Sequence, residues 1–354
     1  MTKINLILKT TNDCNLRCSY CYNACHEYHH HFMEAELVDL LMKKTIKDYD
    51  WLHFIWHGGE PLLLGVNFYK NVIEIEKRYN VKVTNALQTN ATLLTDEYAK
   101  LFVENQFGIG FSYDGYNNEE TRGQTELVLN GINVLKCFGF RLRAIKVVLK
   151  EDLKNLKSTY RHFNNLGIDV RLNAIFGCGT INSHSNYSCE DFGNAMKDLF
   201  CYWIEDEKCS IQLQPFENYL SMAMGGKHRD CANASCLLSF ISMDINGDLY
   251  PCTRLYERNF CYGNIRDIKS IKDIYQSKGF ENIAVNSIQR RKKCLDECSL
   301  FAYCQGGCNH DAYVENGGQS NKFFSCAVFK DIFNFILNNL HSFNIKNPMI
   351  KNNY

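Results

Sequence analysis

Eighteen cysteines stand in a chain of 354 residues, and eleven of them fall into two groups with short, regular gaps. The first group is Cys14, Cys18 and Cys21 in CNLRCSYC, directly after an apolar run. The second is Cys231, Cys236, Cys252, Cys294, Cys298, Cys304, Cys308 and Cys326. Thiols at such density constrain the fold more than any apolar pattern, because they demand either disulfides or metal. The start, MTKINLILKT, turns polar too soon for a signal peptide, and no apolar run reaches membrane-spanning length. The expected location is therefore the cytoplasm, where clustered thiols read as metal ligands rather than disulfides. A [4Fe–4S] cluster takes four ligands, so three thiols leave one iron open while eight close two clusters. Zinc is the competing reading. The C-x3-C and C-x5-C pairs suit four-thiolate sites, and Cys25 with His26 follows the triad closely enough for a zinc knuckle.

A formal net charge of zero and the lack of any basic tract argue against nucleic acid as a partner. A hydrophobic share of 45% supports a large core. Short β-like runs alternate with helix-like stretches up to about residue 208, the pattern of a parallel α/β fold. Strands are expected over 5–8, 52–56, 82–88, 109–113, 143–149 and 170–175. Helices are expected over 34–47, 66–78, 95–105, 125–137, 153–166 and 191–207. Six such units predict a partial (β/α)6 barrel, two short of a full eightfold barrel. CNLRCSYC, GGEP (58–61), QTN (88–90) and SYDG (112–115) then follow strands one to four, at the ends where such barrels work. The expected domains are a barrel over 1–209, a bridging region over 210–230, a cysteine-rich domain over 231–340 that depends on metal to fold, and a frayed polar tail over 341–354.

The triad, GGEP and the six units together resemble the radical S-adenosylmethionine (SAM) enzymes, and the downstream cysteines resemble their SPASM extension. Cys236, Gly247 and Cys252 in CLLSFISMDINGDLYPC match its first half. Cys294, Cys298, Cys304 and Cys308 read C-x3-C-x5-C-x3-C, one residue longer in the first gap than the usual pattern, and Cys326 closes the set. The resemblance implies three [4Fe–4S] clusters and SAM. Cys14, Cys18 and Cys21 hold the cluster that chelates SAM. Cys231, Cys236, Cys252 and Cys308 hold a first auxiliary cluster, and Cys294, Cys298, Cys304 and Cys326 a second. It further implies SAM contacts from Tyr20 (adenine), Gly58, Gly59, Glu60 and Pro61 (methionyl group), Asn90 and Ser112, with Asp114 as a further candidate. Reductive cleavage of SAM would yield a 5′-deoxyadenosyl radical, with flavodoxin or ferredoxin as the electron donor.

Among SPASM enzymes the anaerobic sulfatase maturases are similar in length and in having all eight ligands. There an Asp follows the Cys of the Gly-x4-Cys unit and serves as general base, whereas here Thr253 follows Cys252. A threonine hydroxyl takes no proton near neutral pH. The expected function is therefore maturation of a ribosomally made peptide, by a crosslink, thioether or oxidised residue. Formylglycine formation and a non-catalytic electron carrier are the alternatives. With the start close to the first strand, the expectation is either a separate leader-binding partner or direct reading of a short sequence around the target. Cys178 and Cys189 flank a polar loop after the sixth strand and are the candidate catalytic thiols, while Tyr187 and Tyr219 are candidates to line the cavity. His26, His29, His30 and His31 read as a solvated loop.

Overall fold

The computed structural model describes residues 2–25, 31–175, 187–226, 231, 236–318, 320 and 323–351. In chain order its strands are β1 (Lys3–Lys9), β2 (Trp51–His57), β3 (Lys82–Thr89), β4 (Gly108–Ser112), β5 (Arg143–Val148), β6 (Asp169–Ala174), β7 (Leu213–Gln214), β8 (Phe240–Met243), β9 (Asp248–Tyr250) and β10 (Gly263–Asn264). Helices Ala35–Thr45, Val66–Glu76, Asp96–Glu104, Thr125–Cys137, Leu156–Leu166 and Cys189–Ile204 alternate with the first six. This is the α/β order of a (β/α)6 partial barrel. Period-2 burial drives the strands: Leu52, Phe54 and Trp56 of β2 are all fully buried on one face. Caps and dipoles set helix starts: Thr95 accepts from Tyr98 N, with Asp96 and Glu97 in the first turn.

The chain forms two compact units. The first comprises Met1–Ser112, Glu119–Leu142 and Cys236–Val285. Its strands β1 to β4 pair in parallel, from Lys3↔Trp51 to Thr89↔Phe111. Behind them Tyr69 meets Phe102 edge-on at 5.3 Å, and Phe102 stacks on Phe107 at 4.8 Å. The other edge of β1 carries β8, again in parallel (Asn5↔Phe240 to Leu8↔Met243), and β9 and β10 continue antiparallel. The Asn5 side-chain amide anchors this join, donating to Ser239 O at 2.8 Å. Cys236 and Cys252 are thus built onto the sheet of the triad, so the boundaries 1–209 and 231–340 are not those of compact units.

The second unit comprises Tyr113–Asn118, Arg143–Ser235 and Asn286–Tyr354, with β5, β6 and β7 in parallel. At its centre Lys146 and Asp152, 1% and 2% exposed, form an ion pair at 3.0 Å. Lys146 Nζ also donates to Asp114 O at 3.0 Å, while Asn117 Nδ2 and Leu149 N donate to the Asp152 carboxylate. Asp114 therefore lies in this unit, and its backbone carbonyl holds a buried lysine.

The domain over 231–340 is expected to depend on metal to fold, yet its helices Lys278–Glu297 and Phe324–Asn339 run 20 and 16 residues. The latter buries Val328, Phe329, Ile332, Phe333 and Ile336. Phe329 stacks on Phe333 at 5.0 Å, and Tyr219 stands edge-on to Phe329 at 5.4 Å, so this core does not depend on metal alone. Tyr219 is a core residue rather than a cavity wall. Tyr187 is half-buried, and its hydroxyl accepts from Ile175 N and donates to Val148 O, each at 2.9 Å. The tail is not frayed as far as residue 351. Lys346 N and Asn347 N both donate to Ile204 O, Asn347 Nδ2 donates to Trp203 O at 2.9 Å, and Ile350 is buried.

Candidate active site

β1 ends at Lys9, and the backbone of 11–13 leads straight into the cysteine triad. The GGEP turn after β2 lies against that backbone: Gly59 N donates to Thr11 O and Glu60 N to Asp13 O, both at 2.8 Å. A Cβ on Gly59 would sit 1.9 Å from Asp13 O, and one on Gly58, whose φ is +145°, 2.6 Å from Thr11 O. Both glycines are therefore required by the approach of the cysteine loop itself. Asn23 Nδ2 closes the loop from the other side, donating to Gly58 O at 2.6 Å. Pro61 is buried at the start of the turn Pro61–Leu64, where its missing N–H costs nothing.

Glu60 is fully buried and turned inward. Its Oε1 accepts from Thr89 Oγ1 at 2.7 Å and Leu62 N at 3.0 Å, and its Oε2 accepts from Asn90 N at 2.7 Å. Three of its roughly four acceptor positions are taken by protein. Burial raises its pKa, against the opposing pull of these donors and of Arg122. Glu60 thus ties the turn after β2 to the end of β3. Asn90 carries that tie onward: its Nδ2 donates to Asn15 Oδ1 at 2.8 Å and toward Cys14 Sγ at 3.7 Å. Burial pushes the Cys14 thiol up, with Glu60 and Cys21 adding to the effect and the Leu16 and Asn90 donors opposing it. A positive group, such as a metal, would relieve this crowding of sulfur and carboxylate.

Tyr20, two residues after Cys18, accepts on its hydroxyl from Arg122 Nη1 at 2.8 Å, and the guanidinium lies 6.0 Å from its ring. Ser112, at the end of β4, accepts from Gln88 Nε2 at 3.1 Å. The first unit therefore gathers the triad, GGEP, QTN, Ser112 and Arg122 at the C-terminal ends of β1 to β4.

Tyr22 and His57 were not legible as site residues, although one follows the third cysteine and the other precedes Gly58. The Tyr22 hydroxyl lies 3.5 Å from His57 Nδ1 and is hydrogen-bonded to Thr253, with Cys21 and Cys252 both close enough to act on it. Gly58 N donates to the same Nδ1 at 2.8 Å, which puts the ring proton on Nε2. Burial and the Lys9 ammonium push His57 down to about 4, so it is a neutral imidazole at neutral pH. Tyr22 is driven upward, first by burial.

The remaining thiols divide between the units. Cys236 and Cys252 lie in the first, where both act on Tyr262. Cys231 and Cys308 lie in the second, as do Cys294, Cys298, Cys304 and Cys326. Burial pushes Cys326 up to about 11, with Cys304, Cys294 and Cys298 adding and Lys330 opposing, so these four thiols crowd one another. Buried Arg290 shapes their loop, donating to Gly306 O at 2.8 Å, to Gly318 O at 2.6 Å and to Asn309 Oδ1. His310 and Asp311 stand beside Cys308, and Ser325 Oγ donates to Asp311 at 2.7 Å.

Cys178 lies outside the described residues. Cys189 begins a helix capped by Ser188, but burial and Glu315 raise its pKa, so it is not an activated thiolate. Of the histidine run only His31 is described, and its carbonyl accepts from Thr11 Oγ1 at 2.9 Å.

The donor chemistry fits the implied groups. Three crowded thiols on one loop suit a cluster with one open iron, and the set Cys294, Cys298, Cys304 and Cys326 suits a closed one. The radical SAM superfamily model matches residues 8–169, and the SPASM iron–sulfur cluster-binding domain matches residues 231–308. The chain is a radical SAM enzyme with a SPASM domain, and it binds SAM and iron–sulfur clusters. Its relatives include a cysteine-type anaerobic sulfatase-maturating enzyme of Clostridium novyi, 26% identical over 362 residues that cover 94% of this chain and 95% of the relative. A serine-type anaerobic sulfatase-maturating enzyme of Bacteroides thetaiotaomicron is also 26% identical, over 91% of this chain and 86% of the relative. In fold the chain is similar to anSMEcpe with bound AdoMet (TM-score 0.84, 24% identity, 96% and 98% covered). It is also similar to Streptococcus suis SuiB bound to S-adenosylmethionine (TM-score 0.66, 16% identity, 90% and 76% covered). No helix among the described residues is long and apolar enough to cross a membrane.

Proposed function

We propose that the chain is a cytoplasmic maturase that abstracts hydrogen from a residue of a ribosomally made peptide, leaving a crosslink, thioether or oxidised residue. Three [4Fe–4S] clusters, ligated as the three cysteine sets divide, and a flavodoxin or ferredoxin donor complete this reading, with a separate leader-binding protein as a further partner. SAM bound at a cluster held by Cys14, Cys18 and Cys21 would supply the hydrogen-abstracting chemistry. The chain's own residues position that chemistry. Tyr20, held by Arg122, offers a ring to the adenine, while Ser112 presents its hydroxyl from the end of β4. Glu60 and Asn90 fix the Cys14 loop, so their contribution to SAM binding is through that loop.

The observation that carries the choice of product is Thr253. Its hydroxyl is bonded to Tyr22, at the place where a carboxylate base would stand in a formylglycine-forming enzyme. A protonated Tyr22 hydroxyl stands at this point instead, beside the neutral His57 imidazole, and serves as the proton-transfer group. A second reading, oxidation of a Cys or Ser to formylglycine, is favoured by the similarity to sulfatase maturases over nearly the whole chain. Reconstituted enzyme, SAM and a Cys-type sulfatase peptide separate the two by mass spectrometry. The proposal expects SAM turnover without an aldehyde on that peptide. Stoichiometric aldehyde would overturn it in favour of the second reading.

A further inference from the structure

The ribbon β8–β9–β10 brings three side chains to one end. Ser242 pairs with Tyr250 and Gly263 with Leu249, both antiparallel. The chain therefore leaves β9 toward Cys252 at the end where it enters β8 from the turn Cys236–Leu238 and enters β10 from Tyr262. Tyr262 is fixed there: its N donates to Leu249 O at 2.7 Å, and its ring meets Phe280 edge-on at 5.8 Å. The residue is 3% exposed, and its buried hydroxyl has no hydrogen-bond partner among the described residues. A buried phenol in that state is destabilising unless something accepts from it. The strand pairings put Tyr262 at the same end of the ribbon as Cys236 and Cys252, and both thiols act electrostatically on its hydroxyl.

We infer that the Tyr262 hydroxyl donates a hydrogen bond to a sulfur of the iron–sulfur cluster held by Cys236 and Cys252, and thereby sets that cluster's reduction potential. The inference rests on the proposed assignment of those two thiols to a cluster. Hydrogen bonds to cluster sulfurs favour the more negative, reduced state, so the donor raises the potential. Tyr262 is a positioning residue here, acting through the cluster rather than on substrate.

The test is an EPR-monitored redox titration of the full-length reconstituted protein, wild type against Tyr262→Phe, with iron and sulfide measured on each. Phenylalanine keeps the ring against Phe280 and removes only the hydroxyl. The expected result is unchanged iron content, one midpoint shifted to lower potential, and loss of one exchangeable-proton coupling in deuterium-exchange ENDOR. Replacement by 3-fluorotyrosine, a stronger donor, shifts the same midpoint upward and also serves if the Phe variant fails to load. Unmoved midpoints and couplings at full iron content would overturn the inference. Cys252→Ala identifies which cluster is read, because its signal disappears. Retention of all the iron in Cys252→Ala would instead sink the assignment on which the inference stands.

Discussion

The backbone N–H of Asn90 donates to Glu60 Oε2 at 2.7 Å, and the side chain of the same Asn90 points at the Cys14 sulfur. A buried carboxylate after β2 thus sets the position of a thiol after β1 by way of the end of β3. The glycines before Glu60 admit the cysteine backbone, and Glu60 locks it.

Glu60→Gln tests that lock. Glutamine keeps the shape but must turn an NH2 toward at least one of three donors. Leaving one buried donor unmatched costs about 1–3 kcal/mol. Chemical denaturation is expected to show that loss, and iron bound at the triad should fall while the iron of the other thiols is kept. Unchanged stability with full triad iron would show that the lock is not needed.

Glu76 gives a pH signature in the first unit. Asn85 Nδ2 donates to both its oxygens at 3.0 Å, and Trp56 Nε1 donates to Asn85 Oδ1 at 2.8 Å. Burial pushes Glu76 up to about 7 from an ordinary value of 4.5. The folded value is the higher one, so folding favours the protonated acid. That contribution is complete below the ordinary value and is lost as pH rises through about 7. Glu76→Gln is expected to be more stable than wild type by roughly 1–3 kcal/mol at pH 8, and near neutral in effect at pH 5. Denaturation curves at the two pH values check this, and equal differences at both would contradict it.

Tyr22→Phe separates radical generation from the later proton step. Removal of that hydroxyl keeps the ring in place and breaks the link between Thr253 and His57. Reductive SAM cleavage should continue while modified peptide falls by about 100-fold, the scale of one general acid–base group. The ratio of 5′-deoxyadenosine to product, measured by chromatography, is the readout. An unchanged ratio would remove Tyr22 from the mechanism.

Much of this was legible because short-range rules decided it. All six early strands and their helices lie within a few residues of expectation, since alternation in segments such as WLHFIWH and a cap such as Thr95 act locally. The grouping of Cys294, Cys298, Cys304 and Cys326 came from the family resemblance rather than from spacing, which alone would join Cys308 to the first three; Cys294, Cys298 and Cys304 all act on Cys326. What spacing could not reveal was long-range. The pairing of β8 with β1 joins residues more than two hundred positions apart and moves Cys236 and Cys252 into the first unit. Thiol density concealed the helix Phe324–Asn339, whose apolar face supplies a core of its own. The inward turn of Glu60 was hidden for a different reason: a carboxylate in a glycine turn reads as a ligand until its donors are seen.

The central claim is that Cys14, Cys18 and Cys21 hold the cluster that cleaves SAM while the other eight thiols serve clusters that do not. It is tested most directly by anaerobic 5′-deoxyadenosine formation with dithionite, comparing wild type with the Cys14→Ala, Cys18→Ala, Cys21→Ala variant. The prediction is turnover by wild type, and none by the variant although it keeps the iron of the other eight thiols. Failure of fully loaded wild-type protein to cleave SAM, or cleavage by the variant, would contradict the account.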